Sequence, residues 1–310
     1  MKANVDKEDF VDIDRFRATM HNYCPHWVND GAFNRIVESH FGMRHYCHGS
    51  FSAPVQNLLT NASDQPVRIL DPVCGNGIWL LEMATTYPDV QCFGSDPLGV
   101  FPTGFNEPTN LSFSHEDATL GLKQFPDEYF DFIHVQLIYH RFPRKMRKVL
   151  MEELGRLLKP GGFIELRDVD PLIKSAGPVT TTVTTGLPKV MADITGHDLR
   201  WTHYMIDYIK LTGAADVCQQ RPVMPIGWGD DMARLTRDYV ENAFCSFKDI
   251  MMQGFGWDEA KFIETKETVL QESVANHSFV EFCICWGAKP LEDLADHASD
   301  ICFLTEDFDD

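Results

Sequence analysis

Three aspartates and a pair of glycines carry the first chemistry that the sequence suggests. Asp71 ends the run "VRILD", and the turn "DPVCGNG" that continues from it brings Gly75 and Gly77. Glycine there lets the backbone approach a ligand, and a helix starting near Ile78 would offer free N–H groups. Asp96 closes the next apolar run, "VQCFGSD", at the separation from the turn where an acid can accept both hydroxyls of a ribose. Asp117, in "HEDA", follows a third β-prone run, where an adenine amino group could be bound. Each acid also has a plainer reading. Asp96 could be a helix N-cap or a solvated loop acid, Asp71 a cap of its own turn, and Asp117 an ordinary loop residue.

Positioning those acids requires strands that end side by side. "VRIL" reads as a short strand, and "GIWLLEMATTYP" has helical spacing until Pro88 stops it. "VQCFGSD", "LSFSHEDA", "FDFIHVQLIY", "FIELRDVD", "ADVCQQRPVMPIG" and "FVEFCICWGAKP" supply further strands. "RKMRKVLMEELGRLL" is an amphipathic helix closed by the turn "KPGG", and "LRWTHYMIDYIKLTGA" reads as another helix. Strands alternating with helices imply a parallel sheet with right-handed crossovers. The blocks 171–199 and 228–275 interrupt the series. Both would emerge from the carboxyl ends of strands, where α/β proteins keep their ligands, and with residues 1–55 they could form a cap. The division expected is a cap segment at 1–55, a main domain at 56–290, and an acidic tail at 291–310.

The 310 residues are 44% hydrophobic and 12% aromatic, enough for a packed core. A net charge of −19 repels phosphate backbones and anionic lipid, so neither nucleic acid nor membrane is an expected partner. The beginning of the chain has no apolar stretch of a secretory signal, and no run approaches the length of a membrane span. The nine cysteines are an odd number with no CxxC pair. Buried thiols in a reducing compartment, hence a cytoplasmic protein with the nucleus left open, is the simplest reading.

Taken together, "ILDPVCGNGIW", "GSDPLGVFP", "EDA", "FPDEYFDFIHVQ" and "LLKPGGFIEL" resemble, in order and spacing, the class I S-adenosylmethionine-dependent methyltransferases. The finer similarity is to fungal small-molecule methyltransferases and related regulators of fungal secondary metabolism. There a segment like "NRIVESHFGMRHYCHGSFSAPV" precedes the turn and "AGPVT" follows the fifth strand. The resemblance spans roughly residues 30–290. It implies an α/β, Rossmann-like, seven-stranded, mostly parallel sheet with helices on both faces and a helical cap. It also implies that Asp71, Gly75 and Gly77 hold the methionine part of S-adenosyl-L-methionine and that Asp96 binds the ribose. Pro97 and Leu98 would flank the adenine, Asp117 with Ala118 would address its polar edge, and Gln136 would lie near the transferred methyl. Tyr139 and His140 would sit on the acceptor side. One departure matters: Val73 stands where the family's turn opens with glycine. A β-branched side chain resists positive φ, so the loop must move or crowd the cofactor.

Several residues have competing readings. His140 could act as a general base near neutral pH or be a surface residue of "HRFPRKMRK". Tyr139 could contact the acceptor oxygen or pack under the cap. His40, His45 and His48 with Cys47 look like metal ligands, but their spacing fits no standard site, so no metal is expected. Cys283 and Cys285 alternate in a strand and should share one inert face. "TTTVTT", residues 180–185, reads as an exposed edge of the cap rather than a phosphate lip. Tyr46, Trp79 and Phe101 are expected near the cofactor cleft, where a sulfonium favours ring faces; ordinary core packing explains Trp79 equally. The function expected is methyl transfer to a small acceptor with apolar surface, at oxygen first and nitrogen or carbon next, with a homodimer left open. The alternatives are a regulatory or binding subunit without methyl transfer, or non-methylating natural-product chemistry on the same fold.

Overall fold

The computed structural model describes residues 31–60, 65–99, 101, 108–138 and 141–291. Its centre is an eight-stranded sheet in the order β3-β2-β1-β4-β5-β8-β6, with β7 paired to β8. The strands are β1 Arg68–Asp71, β2 Gln91–Ser95, β3 Leu111–Ser114, β4 Phe130–Gln136, β5 Leu158–Lys174, β6 Ala215–Gln220, β7 Val223–Pro225 and β8 Phe279–Ala288. β3, β2, β1, β4 and β5 run parallel, while β8 is antiparallel to β5, β6 and β7. The sheet is therefore Rossmann-like and mostly parallel, with eight strands among the described residues rather than seven. The extra strand arises because 215–225 breaks in two around Pro222, which has no N–H for a ladder and instead accepts Phe282 N at its carbonyl, 2.9 Å away.

The alternation of side chains divides the strands between two layers. Leu70, Ile133, Val135, Ile164, Leu166, Cys283 and Cys285 lie in one core cluster with Leu150 and Leu154 of the helix Arg144–Leu157 and Ile209 of the helix Met205–Lys210. Ile69 and Phe132 lie in another, with Trp79, Leu80 and Met83 of the helix Ile78–Thr86. Cys283 and Cys285 thus share a face, as their alternation suggests, and burial lifts both thiols, to about 12 and about 11. The stretch "LRWTHYMIDYIK" is shorter in helix than its pattern implies: a 3-10 turn covers Trp201–His203 before Met205–Lys210. "KPGG" also differs from expectation. Rather than a turn before the strand, it lies within β5 as an irregularity: Phe130 pairs with Leu158, then Phe132 with Phe163. Gly161 takes φ +76° there, and its N–H reaches Lys289 O at 2.7 Å.

A third cluster joins the helices beside the carboxyl edge. Met43 and Tyr46 of the helix Gly31–Tyr46 meet Val183 of Pro178–Thr195, Val240 and Phe244 of Ala233–Ser246, Met251 of Lys248–Phe255, and Val269 of Glu259–Ala275. Phe282 and Ile284 of β8 supply the floor. "TTTVTT" lies within the helix Pro178–Thr195, with Thr181, Thr182 and Thr185 exposed as expected of a cap edge. Thr180 is buried, and its N–H and hydroxyl both donate to the Glu272 carboxylate, at 2.8 and 2.7 Å.

A buried polar seam ties residues 40–53 to the sheet. Glu82 accepts His40 Nε2 at 2.6 Å and pairs with Arg44 Nε at 2.9 Å. Glu165, wholly buried, accepts Ser52 N at 2.7 Å and pairs with Arg167, whose Nη1 donates to Gly49 O. Trp79 Nε1 donates to Ser50 O at 2.7 Å, and its ring stacks on His134 with centroids 3.9 Å apart. Carboxylates this deep must have donors, because an unpaired buried charge is costly. Trp79 therefore belongs to the core, not to a cleft. His40 is committed to Glu82, and His45 lies 3.8 Å from Asp230. Among the described residues, no group of His, Cys, Asp and Glu is arranged to hold a metal ion.

Candidate nucleoside site

The parallel strands β4, β1 and β2 end side by side, and Asp71 and Asp96 stand at the ends of the latter two. The β1 turn is held to β2 by Cys74 N, which donates to Ser95 O at 3.1 Å. Asp71 is 4% exposed, and its Oδ1 accepts Val73 N at 3.1 Å. Burial pushes its carboxyl up to about 7; the Val73 amide opposes the rise, the Asp96 charge adds to it, and Arg141 opposes it. Asp96 is fully buried. Its Oδ1 accepts Leu98 N at 2.9 Å, and its Oδ2 accepts Gly75 N at 2.9 Å and pairs with Arg141 Nη2 at 2.6 Å.

Val73 does not crowd this corner. Its φ is not among the positive ones, and its side chain is 5% exposed within the cluster of Leu70, Ala118 and Ile138. The expected conflict between a β-branched side chain and a positive φ thus does not arise. The valine fills core instead. The positive angles fall on Gly75 (φ +59°) and Gly77 (φ +76°). Among the described residues, a Cβ at Gly75 would meet only Arg141 Nη1, at 3.8 Å, so the turn presents a bare face to them. A Cβ at Gly77 would lie 2.4 Å from the Phe113 ring, so that glycine makes room for packing rather than for a ligand.

The amides expected to be free are engaged. Gly77 N donates to Cys74 O at 2.8 Å, Ile78 N to Asn76 Oδ1 at 3.0 Å, and Gly75 N to Asp96. The other expected site residues are spread around the corner. Pro97 and Leu98 are exposed, Leu98 by 83%. Asp117 caps its own turn, accepting Thr119 N at 2.9 Å, and Ala118 is buried in the core. Gln136, at the end of β4, donates to Met43 Sδ at 3.7 Å and so faces the cap. Phe101 stacks on Phe113, with centroids 4.6 Å apart, and lies against Gly99. Of the three aromatics expected near the cleft, it is the one at this corner; Tyr46 instead donates to Asp230 Oδ1 at 2.9 Å. Tyr139 and His140, the expected acceptor-side pair, lie outside the described residues. Arg141 was not among the expected residues. Its signal was a cation just past β4 in an acidic chain, masked by the basic run around it.

The donor set suits an adenosyl ligand. A buried carboxylate demands hydrogen-bond donors, and among the described residues the one group across the glycine face beside it is the end of a flexible side chain. A ribose diol could supply the donors that Arg141 now supplies.

Comparison with known proteins matches the stretch that contains this corner. Residues 69–162 match the family described as a methyltransferase domain. A secondary metabolism regulator, laeA, of Coprinopsis cinerea is 37% identical over 103 residues, covering 33% of this chain and 25% of the relative. An N-methyltransferase, verN, of Clonostachys rogersoniana is 28% identical over 143 residues, covering 44% of this chain and 47% of the relative. The chain thus spans between a quarter and a half of these relatives' lengths. A phosphoethanolamine N-methyltransferase of Haemonchus contortus has 13% identity and a TM-score of 0.45, covering 90% of this chain and 60% of that one. The stretch that matches a methyltransferase domain, residues 69–162, holds the glycine turn and both strand-end acids.

Proposed function

We propose that this chain transfers a methyl group from S-adenosyl-L-methionine to a small organic acceptor with apolar surface, most simply at a hydroxyl or carboxyl oxygen. The observation that carries the reading is the convergence of Asp71, Gly75 and Asp96 at the ends of adjacent parallel strands, inside the matched domain. Nitrogen is the next acceptor atom, and the relative named as an N-methyltransferase supports keeping it in view. Similarity to a fungal protein named as a secondary metabolism regulator supports a role in that metabolism.

When bound, the cofactor supplies a sulfonium whose methyl is already electrophilic. The chain's part is to bind, orient and exclude water. Asp96 would take the ribose hydroxyls on its buried oxygens, with the Leu98 and Gly75 amides fixing the carboxylate plane. Asp71, lifted by burial, would meet the cation and be held ionised by it. Gln136, at the end of β4, donates to Met43 of the cap and would lie near the transferred methyl. His140 and Tyr139 remain the proposed acceptor-side base and donor.

Titration with S-adenosyl-L-methionine, followed by turnover against a panel of phenols, acids and amines, tests the reading. Asp96→Ala should weaken cofactor binding markedly, and an unchanged dissociation constant would misplace the ribose site. A second reading, a binding or regulatory subunit without methyl transfer, draws support from the arginine seated on Asp96 and from the regulators among the relatives. Absence of binding at millimolar cofactor would favour it.

A further inference from the structure

The same carboxylate proposed to take the ribose already has a cation on it. Asp96 is wholly buried, and Arg141, 25% exposed in its side chain, reaches it at 2.6 Å. The guanidinium also lies across Gly75: among the described residues, its Nη1 is the one atom within 4 Å of where a Cβ would stand. Acid and glycine thus form one seat that nucleoside and arginine would share. We infer that Arg141 is an internal competitor for the nucleoside subsite, holding Asp96 in the ligand-free protein and yielding it to a ribose diol.

The local geometry supports an exchange rather than a fixed ion pair. Arg141 lies past the end of β4, where its backbone N–H donates to Ile138 O at 3.0 Å, and Ile138 N donates to Asp168 Oδ2 at 2.9 Å. Leu137, just before, takes φ +56°, a conformation that costs a non-glycine residue energy and turns the chain out of the strand. From there the side chain must cross the β1 turn to reach β2, since β1 lies between β4 and β2. Releasing Asp96 therefore asks for rotation of a long side chain, with its backbone anchor intact. Asp96 keeps two amide donors, from Leu98 and Gly75, throughout. The donor lost on release is the one a diol replaces.

The inference rests on the proposed cofactor reading, and its test separates the two. Binding of S-adenosylhomocysteine and S-adenosyl-L-methionine to the full chain is measured calorimetrically for the wild type, Arg141→Ala and Arg141→Lys, with thermal melts at zero and saturating ligand. A competitor occupying the seat in nine of ten molecules would lower apparent affinity about tenfold. Arg141→Ala should therefore bind about tenfold tighter, with Arg141→Lys in between. The ligand-free alanine variant should melt earlier than the wild type, and saturating ligand should narrow that gap. Equal or weaker binding by Arg141→Ala, with wild-type binding intact, overturns the competitor and leaves the cofactor reading standing. Failure of both folded proteins to bind overturns the cofactor reading, and the competitor with it. A ligand-free double-mutant cycle between Arg141→Ala and Asp96→Asn adds an independent check, because additive losses of stability would deny the pair itself.

Discussion

Val73→Gly restores the glycine that the turn lacks, and the structure says that this should damage the fold rather than improve the site. The valine side chain is 5% exposed, among Leu70, Ala118 and Ile138. Removing its three carbons, at about 0.8 kcal/mol each, forfeits roughly 2.4 kcal/mol of burial. Glycine adds about 0.5–1 kcal/mol of backbone entropy lost on folding. The sum, about 3 kcal/mol, is a large fraction of the roughly 5–15 kcal/mol that holds a typical domain. Equilibrium urea unfolding should show the midpoint falling with little change in slope. Val73→Ala should lose less, since it keeps the β-carbon and a non-glycine backbone. Calorimetric titration with S-adenosylhomocysteine should give affinities within about twofold of wild type, because the side chain faces away from Gly75 and Asp96. Markedly tighter binding with less than about 1 kcal/mol of lost stability would place the valine in the pocket and refute this account.

Three further outcomes follow from other parts of the molecule. Asp71 has its carboxyl raised to about 7 by burial, so below that pH the ligand-free site holds a proton that a bound cation would expel. Affinity for S-adenosyl-L-methionine should rise with pH up to about 7 and then level off, with proton release in calorimetry run in two buffers; proton uptake would contradict the assignment. His134 is fully buried against Trp79, neither ring nitrogen has a hydrogen-bond partner among the described residues, and burial holds it well below its ordinary value. The unfolded chain therefore binds this proton and the native one does not, so wild-type stability should fall by up to about 1.4 kcal/mol per pH unit below 6.5 from this ring. His134→Phe should lack that component in urea unfolding between pH 5 and 8, and parallel curves would dismiss it. Glu272 accepts Val179 N at 3.1 Å and Thr180 N at 2.8 Å, capping one cap helix from another. Glu272→Ala should cost about 1–2 kcal/mol, with Glu272→Gln milder; equal losses would mean that the acceptor oxygens are not what matters.

Much of this architecture is legible along the chain because the local signals are strong. "VRIL" and "FDFIHVQ" alternate between two layers that are both covered, and Pro88 and the glycine turn bracket the helix Ile78–Thr86. What is not legible depends on distant partners. The "KPGG" irregularity is fixed by pairing with Lys289, far along the sequence, and the break at Pro222 by the strand opposite it. The same limit applies at the site. Within "HRFPRKMRK", Arg141 and Arg147 are indistinguishable by composition from surface cations. Arg147 nevertheless lies buried with its guanidinium over the Trp201 ring, and Arg141 lies on Asp96. Val73 departs from expectation for a related reason: a motif records which residue usually occupies a position, whereas the direction its side chain takes is set by the core behind it.

The seam that binds residues 40–53 to Glu82, Glu165 and Arg167 limits how the molecule can be divided. The matched stretch 69–162 stops inside β5, short of Glu165, and leaves out the helix and loop that neutralise Glu82 from the other side. Cut to that stretch, the chain would keep its glycine turn and both strand-end aspartates yet strand Glu82 without His40 or Arg44. A unit that keeps this seam intact must therefore begin upstream of His40 and run past Arg167, beyond both ends of the matched stretch.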